Sequence, residues 1–436
     1  MTNFVIYLCS INFYYYMLDL KFIRDNIELV KQNILNKNEK ANIENILDLD
    51  EKRRIIIQKS QDLKNLRNTV SKEIADLKRN KQNADDKIQA MKDVSDQIKL
   101  LDDELSQIEE EIKNIQMIIP NIVHNSVPIG KSEQDNKFIR SWGEIKPKID
   151  KDHTQIAKEF GLIDFDRATK ISGSGFALYT NLGAKLERAL INFFLDFNTQ
   201  NGYTEVMTPF IVNRDSMFGT GQIPKLEEDM YKTEIDDFYL IPTAEVPITN
   251  IYSGEILKAN ELPKKFCGYS PCFRREAGSY GKETKGLLRV HQFNKVELVK
   301  YSLPENSYDE LEFMLEDVEK ILQALNLPYR IILLCSGDTS FASAKTYDFE
   351  VWSPADEKWL EVSSCSNFES FQARRANIRY KKAADSKPEF IHTLNGSALA
   401  TPRTMVAILE NYYDGKVIHI PEVLQKYLNF STIEKI

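Results

Sequence analysis

The chain has 436 residues, and at about 100–200 residues per domain this length predicts two or three domains. Hydrophobic residues make up 42% of the chain and charged residues 28%, a composition that excludes an intrinsically disordered protein. The formal net charge is −8, so any contact with nucleic acid must come from a local basic surface.

The chain begins with an apolar stretch, FVIYLCSINFYYYML at residues 4–18. No basic residue precedes it, no small-residue cleavage site follows it, and it is too short for a membrane span. We therefore expect residues 1–16 to be a non-native or weakly structured extension ahead of a true start at Met17. A weak targeting segment is the alternative, and neither interpretation places the protein in a membrane.

Residues 17–120 are predicted to form a domain that carries a long helical hairpin. From Glu51 onward the chain has no glycine or proline until Pro120, and RNKQNADD at residues 79–86 supplies a polar turn. Apolar residues on either side of this turn recur at three-and-four spacing, which is typical of coiled-coil seams. The first series comprises Leu63, Leu66, Val70, Ile74 and Leu77, and the second comprises Ile98, Leu101, Leu105, Ile108, Ile112, Ile115 and Ile119.

Charge is segregated along this hairpin, because its first helix is predominantly basic and its second predominantly acidic. Pairing between the two helices explains most of these charges. A two-helix arm has too thin a core to be an enzyme by itself, but one basic helix can grip a phosphate backbone. The arm is therefore a candidate for binding nucleic acid.

The remainder of the chain mixes helical and strand patterns. Residues 121–150 are rich in Pro, Asn, Gly and Ser, which indicates a connection. Within residues 151–436, LGAKLERALINFFLDFNTQN is an amphipathic helix, whereas YTEVMTPFIV, KWLEVSSC and RVHQFNKVELVKY are runs typical of strands. The fold class is therefore α+β, with a coiled-coil arm followed by a domain built on an antiparallel β-sheet flanked by helices.

The stretch CFRREAGSYGKETKGLLRVHQFNKVE, residues 272–297, predicts two strands joined by a long tip. Because alternate side chains of a strand share a face, Arg274 is expected beside Glu276. The second strand is expected to present Arg289, His291, Phe293 and Glu297 together. Arginine grips phosphate and phenylalanine offers a surface for a base, so this face is a candidate nucleotide site. A bland exposed sheet face is the alternative, and the sequence has no phosphate-binding loop of the Walker or Rossmann type.

Five cysteines are scattered along the chain, which argues against a disulfide framework and for a reducing compartment. Cys267 and Cys272 lie close together, but no second Cys or His pair follows at zinc-like spacing. We expect both to be small buried residues, and we expect no zinc site.

Five stretches together resemble one family. In chain order they are GYTEVMTPFIV, PTAEVP, FRREAGSYGKETKGLLRVHQFNKVE, EVSSCSNFESFQARRANIRY and NGSALATPRTMVAILEN. The first, third and fifth resemble motifs 1, 2 and 3 of class II aminoacyl-tRNA synthetases, and the others are similar to stretches of the bacterial-type seryl-tRNA synthetases. The resemblance covers nearly everything from Met17 onward and implies a class II catalytic domain at residues 151–436.

The resemblance implies an enzyme that activates L-serine with ATP to seryl-adenylate and pyrophosphate, then transfers serine to the 3′ end of tRNA(Ser). The selenocysteine tRNA, tRNA(Sec), is a second candidate substrate. The implied enzyme is a cytoplasmic homodimer that uses Mg2+ with ATP and binds tRNA through residues 17–120. Two alternatives are a synthetase-like paralogue without aminoacylation activity and a different class II synthetase, such as the threonyl or prolyl enzyme.

The family motifs also imply roles for individual residues of this chain. Residues expected at ATP are Arg274, Arg275, Glu276, Phe293, Glu361, Val362, Ser363, Ser364 and Arg403. Residues expected at serine are Thr243, Ala244, Glu245, Arg274, Glu297, Asn395 and Ser397. Magnesium is expected on Glu361 and Ser364, and catalysis is expected to depend on Arg274, Arg403 and Glu361. The loop at residues 279–285 is expected to approach the acceptor end of tRNA.

The chemistry agrees with this set. Attack by the serine carboxylate on the α-phosphorus needs no general base, because the carboxylate is already ionised at neutral pH. Catalysis then depends on in-line positioning and on cations that neutralise phosphate oxygens, so His291 is expected to be structural. A buried Glu297 that binds the substrate hydroxyl would reject alanine, because alanine would leave that carboxylate unpaired.

Overall fold

The computed structural model describes residues 18–277 and 285–435, so the predicted extension at residues 1–16 lies outside the described part of the chain. The described residues form two compact units. The arm unit comprises Leu18–Leu35 and Glu39–Ile119, and the sheet unit comprises Asn36–Asn38 and the described residues from Pro120 onward.

The helices of the arm unit confirm the predicted hairpin. Their bounds are α1 Leu20–Asp25, α2 Ile27–Asn36, α3 Ile46–Arg79 and α4 Asp85–Met117. The long helices α3 and α4 are joined by the predicted polar turn, in which Lys81 adopts the left-handed region at φ 58°. Helix α4 ends shortly before Pro120, which lacks the N–H needed to continue a helix.

The seam between α3 and α4 is apolar and follows the predicted spacing with one exception. Ile56, Ile108 and Ile112 form a buried cluster, and Ile112 is 2% exposed. The expected seam position of Leu66 is wrong, because its side chain is 46% exposed whereas Arg67 is half-buried. The half-buried positions of α3 follow a seven-residue repeat that passes through position 67, so Leu66 falls one position outside it.

Opposite charges pair across the hairpin, as the segregated charge predicts. Arg53 Nε lies 3.0 Å from Glu109 Oε1, and Lys64 Nζ lies 2.9 Å from Asp102 Oδ1. Hydrogen bonds from Lys64 and Ser60 lower the pKa of the Asp102 carboxyl. Exposed pairs of this kind contribute about 0.2–1 kcal/mol each, so the apolar seam and not the charge holds the hairpin together.

The strands of the sheet unit confirm an antiparallel-dominated sheet. Their bounds are β1 Lys137–Trp142, β2 Thr204–Glu205, β3 Ile211–Val212, β4 Tyr239–Leu240, β5 Ile256–Lys258, β6 Lys264–Phe273, β7 Gln292–Ser302, β8 Tyr329–Leu333, β9 Lys345–Ser353, β10 Lys358–Asn367, β11 Arg379–Lys381, β12 Glu389–Phe390, β13 His392–Ala400, β14 Ile418–His419 and β15 Thr432–Ile433. The large sheet has the order β1-β8-β9-β10-β13-β7-β6-β2, and only β2 and β6 pair in parallel. Three small sheets accompany it: β12-β11-β5, β14-β15 and β3-β4.

The helices of the sheet unit include the predicted amphipathic ones. Their bounds are α5 His153–Glu159, α6 Phe165–Ser172, α7 Asn181–Gln200, α8 Arg214–Gly219, α9 Glu245–Thr249, α10 Ser307–Ala324, α11 Phe371–Ala376, α12 Thr401–Asn411 and α13 Glu422–Leu428. No described helix combines the length and the apolarity that a bilayer span requires.

Helices α7, α10 and α12 share a core with one face of the large sheet. Val296 and Leu298 of β7 point into that core, where both are fully buried. Helix α10 approaches the sheet closely at Gly396 of β13, because a Cβ there would lie 2.6 Å from the sulfur of Met314. Alternation along β7 therefore leaves its odd-numbered side chains on the opposite face.

Two segments differ from the sequence-based expectations. The predicted connection at residues 121–150 contributes the edge strand β1, which pairs with β8, so part of it belongs to the sheet. Asn121 ties the start of this segment to the same unit, because its side-chain amide donates to the carbonyls of Ala342 and Phe368 at 2.9 and 2.8 Å. The predicted strand YTEVMTPFIV forms only the short strands β2 and β3.

The seam of the arm can be tested by truncation. Ile112→Ala is expected to destabilise the arm by about 2–4 kcal/mol, because it removes a buried side chain and leaves a cavity. Leu66→Ala, at an exposed position of the same hairpin, is expected to change stability by less than about 0.5 kcal/mol. Urea denaturation followed by circular dichroism measures both, and equal losses would contradict the seam described above.

Candidate active site

The central strands bring the predicted residues to one face of the large sheet. Glu297 of β7 lies opposite Ser397 of β13. Asn395, two residues from Ser397, lies opposite Ser366 of β10, and Ser364 is two residues from Ser366. Directly opposed residues in an antiparallel pair share a face, as do residues two apart in one strand. This polar face lies opposite the core that α7, α10 and α12 share with the sheet.

A buried carboxylate lies at the centre of this face. Glu297 is 1% exposed and forms an ion pair with Lys295, which is also buried. The hydroxyl of Thr243 donates to Glu297 Oε2 at 3.0 Å and accepts the backbone N–H of Glu245 at 3.1 Å. The hydroxyl and the ammonium together offset the cost of burying the Glu297 charge.

A second buried carboxyl, Glu245, lies at the start of α9. Gln372 of α11 donates to Glu245 Oε1 at 2.7 Å, and the hydroxyl of Thr393 in turn donates to the Gln372 carbonyl oxygen at 2.8 Å. Burial, followed by the charge of Glu297, raises the pKa of Glu245 to about 7. Ala244, the preceding residue, is fully buried in an apolar cluster and fixes the backbone here.

The other end of the face contains Arg274 beside an aromatic ring and Arg403 beside Glu361. The guanidinium carbon of Arg274 lies 5.2 Å from the centroid of the Phe293 ring, a cation–π distance, and its Nε donates to the carbonyl of Pro242 at 3.4 Å. Arg403, near the start of α12, donates from Nη1 to the backbone carbonyl of Glu361 at 2.7 Å. Its Nη1 also lies 3.5 Å from Glu361 Oε2.

Three oxygen-bearing residues on β9 and β10 could hold a hard cation. Ser364 donates to Glu361 Oε1 at 3.3 Å, and Asp348 of β9 lies opposite Ser364. Asp348 Oδ1 is buried and has no hydrogen-bond partner among the described residues. Burial, followed by the charge of Glu361, raises the pKa of Asp348, and a hydrogen bond from Ser364 opposes this shift. Carboxylate and hydroxyl oxygens with an unmet need for positive charge fit magnesium.

The described residues contain no cluster of three or more His, Cys, Asp or Glu side chains that could hold a metal ion. Cys267 and Cys272, which the sequence places close together, are both fully buried free thiols. Burial raises the pKa of the Cys267 thiol to about 12, which keeps it protonated and a poor metal ligand.

Several predicted residues lie away from the open face. Val362 is buried in the apolar core, and the hydroxyl of Ser363 donates to the backbone carbonyl of Ser397 at 2.6 Å. Arg275 has an exposed side chain that donates to the carbonyl of Glu228 at 3.2 Å. In the predicted tip at 279–285, residues 279–284 lie outside the described residues.

The strands next to this tip are shorter than predicted. Strand β6 ends at Phe273 and β7 begins at Gln292, so the expected strand positions of Arg274 and Glu276 on the first strand are wrong, as are those of Arg289 and His291 on the second. The backbone N–H of His291 donates to the carbonyl of Gly175, and its Nδ1 lies 3.0 Å from the carbonyl oxygen of Arg274. These contacts agree with the structural role expected for His291.

Three residues of the site were not assigned from the sequence: Lys295, Asp348 and Gln372. The sequence feature that pointed to Lys295 was its position two residues before Glu297, which places both side chains on the same face of a strand. Asp348 interrupts the apolar strand segment TYDFEVW, and Gln372 interrupts the apolar side of a short helix. A lone polar residue in an apolar element indicates a partner, but its identity depends on pairing between distant strands.

Family models cover both units of the chain. The description "tRNA synthetase class II core domain (G, H, P, S and T)" matches residues 229–412, and "Seryl-tRNA synthetase N-terminal domain" matches residues 17–123. The fold and the polar sheet face are thus those of a class II aminoacyl-tRNA synthetase.

Individual relatives narrow this class. The chain is 53% identical to a serine–tRNA ligase of Desulforapulum autotrophicum, over 94% of this chain and 97% of that one. It is also 53% identical to a serine–tRNA ligase of Chloroherpeton thalassium, over 96% and 100% of the two chains. The structure of seryl-tRNA synthetase from Pyrococcus horikoshii complexed with ATP matches with a TM-score of 0.89 at 38% identity, over 96% of this chain and 100% of that one. The chain therefore belongs to the seryl-tRNA synthetase family, and its activity is the ligation of L-serine to tRNA.

The Glu245 carboxyl allows a test of the electrostatics. Its pKa of about 7 exceeds the ordinary value of 4.5, so between these values the folded protein holds a proton that the unfolded chain releases. Stability is therefore lost as the pH rises through this window. Glu245→Gln removes the ionisable group and is expected to stabilise the protein at about pH 8, by at most about 3 kcal/mol, but not at about pH 4.

Thermal unfolding at both pH values measures this effect. Glu111→Gln, at an exposed position of α4, is the matched control and should leave the Tm unchanged at either pH. A change in Tm of the same size at both pH values for Glu245→Gln would contradict a buried carboxyl that titrates near neutrality.

Proposed function

We propose that the polar face of the large sheet carries out both steps of serine ligation, with the amino acid and ATP at opposite ends of it. In the first step the serine carboxylate attacks the α-phosphorus of ATP and pyrophosphate leaves. In the second, the terminal ribose hydroxyl of tRNA attacks the seryl carbonyl and AMP leaves. The observation that carries this proposal is the buried, hydrogen-bonded Glu297 on the same strand face as Phe293.

We assign the serine substrate to the end that contains Glu297. Glu245, Thr243 and the backbone at Ala244 receive the substrate ammonium, because two buried carboxyls share one lysine and the cluster favours another cation. Glu297 accepts a hydrogen bond from the substrate hydroxyl. Ser397, opposite Glu297, and Asn395 complete this end.

We assign ATP to the end that contains Phe293. Arg274 covers one face of the Phe293 ring, and adenine stacks on the other, towards Arg403. The guanidinium of Arg274 binds the α-phosphate and the serine carboxylate, and Glu276 contacts the adenine edge. Val362 and Ser363 of β10 have buried side chains, so we assign them contacts with ATP through their backbone. Rate enhancement on this arrangement comes from in-line positioning and from fixed positive charge at the phosphate oxygens.

Magnesium would be held by Glu361 and Ser364, with Asp348 as a further carboxylate beside them. A bound magnesium ion supplies positive charge to the ATP phosphates. The residues of this chain keep the donors in place, because the contacts of Arg403 with both the backbone and the side chain of Glu361 fix that carboxylate.

The same face gives a reason for selectivity. Alanine has no hydroxyl and would leave Glu297 buried without a donor from the substrate, so rejection on the order of 10⁴–10⁵ is expected for a site of this kind. Proline has no hydroxyl and is disfavoured for the same reason, whereas the threonyl alternative is disfavoured by the identity of 53% to serine–tRNA ligases over nearly the whole chain.

Glu297 is the residue to change first. Glu297→Ala is expected to lower kcat/KM for serine in ATP–pyrophosphate exchange on the order of 10²–10³-fold, because it removes the hydroxyl acceptor and leaves Lys295 buried without its partner. The KM for ATP should change by less than about threefold.

Exchange measured with serine, threonine, alanine and glycine checks both the variant and the native selectivity. Glu316→Ala, at an exposed position of α10, is the control and should behave like the unchanged protein. Serine-dependent exchange that survives in Glu297→Ala would contradict the assignment, and no exchange in the native protein would favour an inactive paralogue.

We infer that the arm binds tRNA through its basic helix. Lys59, Lys72 and Lys78 of α3 are exposed and form no ion pair within the described residues, so they are available to phosphates. Phosphate contacts of this kind provide affinity that falls steeply with salt. We propose tRNA(Ser) as the substrate, with tRNA(Sec) as a second candidate that charging of each purified tRNA distinguishes.

Removing the distal arm separates the two steps. Replacement of residues 64–99 by a short glycine linker joins positions near Leu63 and Leu100, which already line one groove between the helices. Serine-dependent pyrophosphate exchange should be retained within about twofold, whereas tRNA charging should fall by about 10²-fold or more. The double variant Lys72→Gln and Lys78→Gln keeps the hairpin and should flatten the salt dependence of tRNA binding. Equal loss of both activities would contradict a role confined to tRNA.

We propose that the protein is a homodimer that associates through the region of motif 1. Two apolar side chains of this stretch are exposed, Met207 by 86% and Ile211 by 51%, as are Ile235 by 92% and Phe238 by 41% in the segment that leads into β4, the strand that pairs with β3. Clustered apolar exposure of this size is typical of an interface with another chain.

We also infer a cytoplasmic location. The four described cysteines, Cys267, Cys272, Cys335 and Cys365, are all free thiols. Unpaired cysteines are typical of a reducing compartment.

A further inference from the structure

The backbone after Phe273 leaves the regular ladder just where the proposed ATP contacts lie. Strand β6 ends at Phe273, and the next residues include Arg274 and Glu276. Glu276 adopts the left-handed region at φ 52°, which costs a non-glycine residue on the order of 1 kcal/mol. Neighbouring contacts must therefore hold this conformation.

A single residue, Asp229, binds the chain on both sides of Glu276. The backbone N–H of Arg275 donates to the carbonyl oxygen of Asp229 at 2.9 Å. The backbone N–H of Ala277 donates to the carboxylate oxygen Oδ1 of Asp229 at 2.7 Å. These two bonds bracket the left-handed residue, and the Arg275 side chain adds a third at the carbonyl of Glu228, 3.2 Å away.

Asp229 is itself fixed by a partly exposed polar cluster that packs on a buried tyrosine ring. It ends the 3-10 turn Glu227–Asp229, and Arg214 binds both carboxylate oxygens of Glu227, at 2.7 and 3.0 Å. The hydroxyl of Tyr239, whose ring is fully buried, donates to Glu227 at 2.7 Å. Hydrogen bonds from Arg214 and then from Tyr239 lower the pKa of Glu227, so the carboxylate that anchors the turn stays ionised.

The opposite side of the same segment is held by the residues that lead into β7. The N–H of Arg274 donates to the carbonyl of His291 at 2.9 Å, and the Glu276 carboxylate forms an ion pair with Arg289. The segment from Arg274 to Ala277 therefore lies between two supports. His291 holds Arg274 through its backbone carbonyl and its ring Nδ1, whereas Asp229 holds the residues on both sides of Glu276 through its backbone carbonyl and its carboxylate.

We propose that Asp229 is a positioning residue for ATP, which sets the direction of Arg274 and Glu276, and that Arg275 is a tie to the Glu227–Asp229 turn and not an ATP ligand. This proposal rests on the proposed function of the sheet face. It gives Arg275 a structural partner of its own, because its guanidinium binds the protein backbone. The carboxylate of Asp229 acts only as a hydrogen-bond acceptor, so its charge is not required.

The acceptor role separates two substitutions at one position. Asp229→Ala loses the acceptor, and we expect KM for ATP in pyrophosphate exchange to rise on the order of tenfold, with KM for serine changed by less than about twofold. Asp229→Asn keeps an acceptor oxygen at the same place and should remain within about threefold of the unchanged protein for both substrates. An increase in the KM for ATP alone cannot be explained by a smaller fraction of folded protein, because that would lower kcat and leave both KM values unchanged.

Arg275→Met and Arg274→Met complete the design. Arg275→Met should raise KM for ATP by about threefold at most, because the two backbone bonds to Asp229 remain; a loss of about 10²-fold or more would make Arg275 an ATP ligand and overturn the proposal. Equal impairment of Asp229→Ala and Asp229→Asn, an unchanged Asp229→Ala, or a parallel rise of both KM values would also overturn it. Full activity of Arg274→Met would instead contradict the proposed function, whatever Asp229 does.

Discussion

The ion pair between Lys295 and Glu297 is the interaction on which the site depends. A buried carboxylate costs several kcal/mol unless a partner is at hand, and strand geometry supplies one because residues two apart on β7 share a face. Thr243 adds a hydrogen bond to Glu297, and within the described residues the side-chain donor to the Glu245 carboxyl is the uncharged amide of Gln372. This shortage of positive charge beside two buried carboxyls is the electrostatic reason for our proposal that the cluster receives the ammonium group of serine.

The large sheet keeps this polar cluster separate from the core that stabilises the fold. Val296 and Leu298 pack under α7, α10 and α12, while Glu297 between them lies on the polar face. Each central strand therefore has an apolar face in the core and a polar face on the other side, and the buried polar groups on that second face need hydrogen-bond or ion-pair partners. The hydrogen bond from the Ser363 hydroxyl to the Ser397 backbone carbonyl helps to hold β10 and β13 in register.

The sequence predicted what depends on local periodicity and on recognisable motifs. The arm, the amphipathic helices and β10 could be predicted because their patterns repeat within a few residues. Leu66 was placed wrongly because a shift of one position around a helix decides whether a side chain is buried or exposed. The sequence placed Arg289 and His291 in a strand, but β7 begins only after them. His291 instead bonds to Gly175 and Arg289 pairs with Glu276, and neither contact follows from local sequence spacing. Asp348 was missed for the same kind of reason: only the register of β9 against β10 brings it beside Ser364. The family motifs identified the remaining site residues, but only the structure shows how these residues are arranged.

Gly396 links the two faces of the sheet in a further way. It lies between Asn395 and Ser397 on β13, and the sulfur of Met314 fills the space where its side chain would be. Under the proposed assignment of serine to this face, the floor beneath the amino acid is one backbone thick, and Met314 of α10 lies against its underside. The volume of this methionine, which serine would not touch, limits how close β13 and α10 can come, so the size of the proposed site is coupled to the packing of the core.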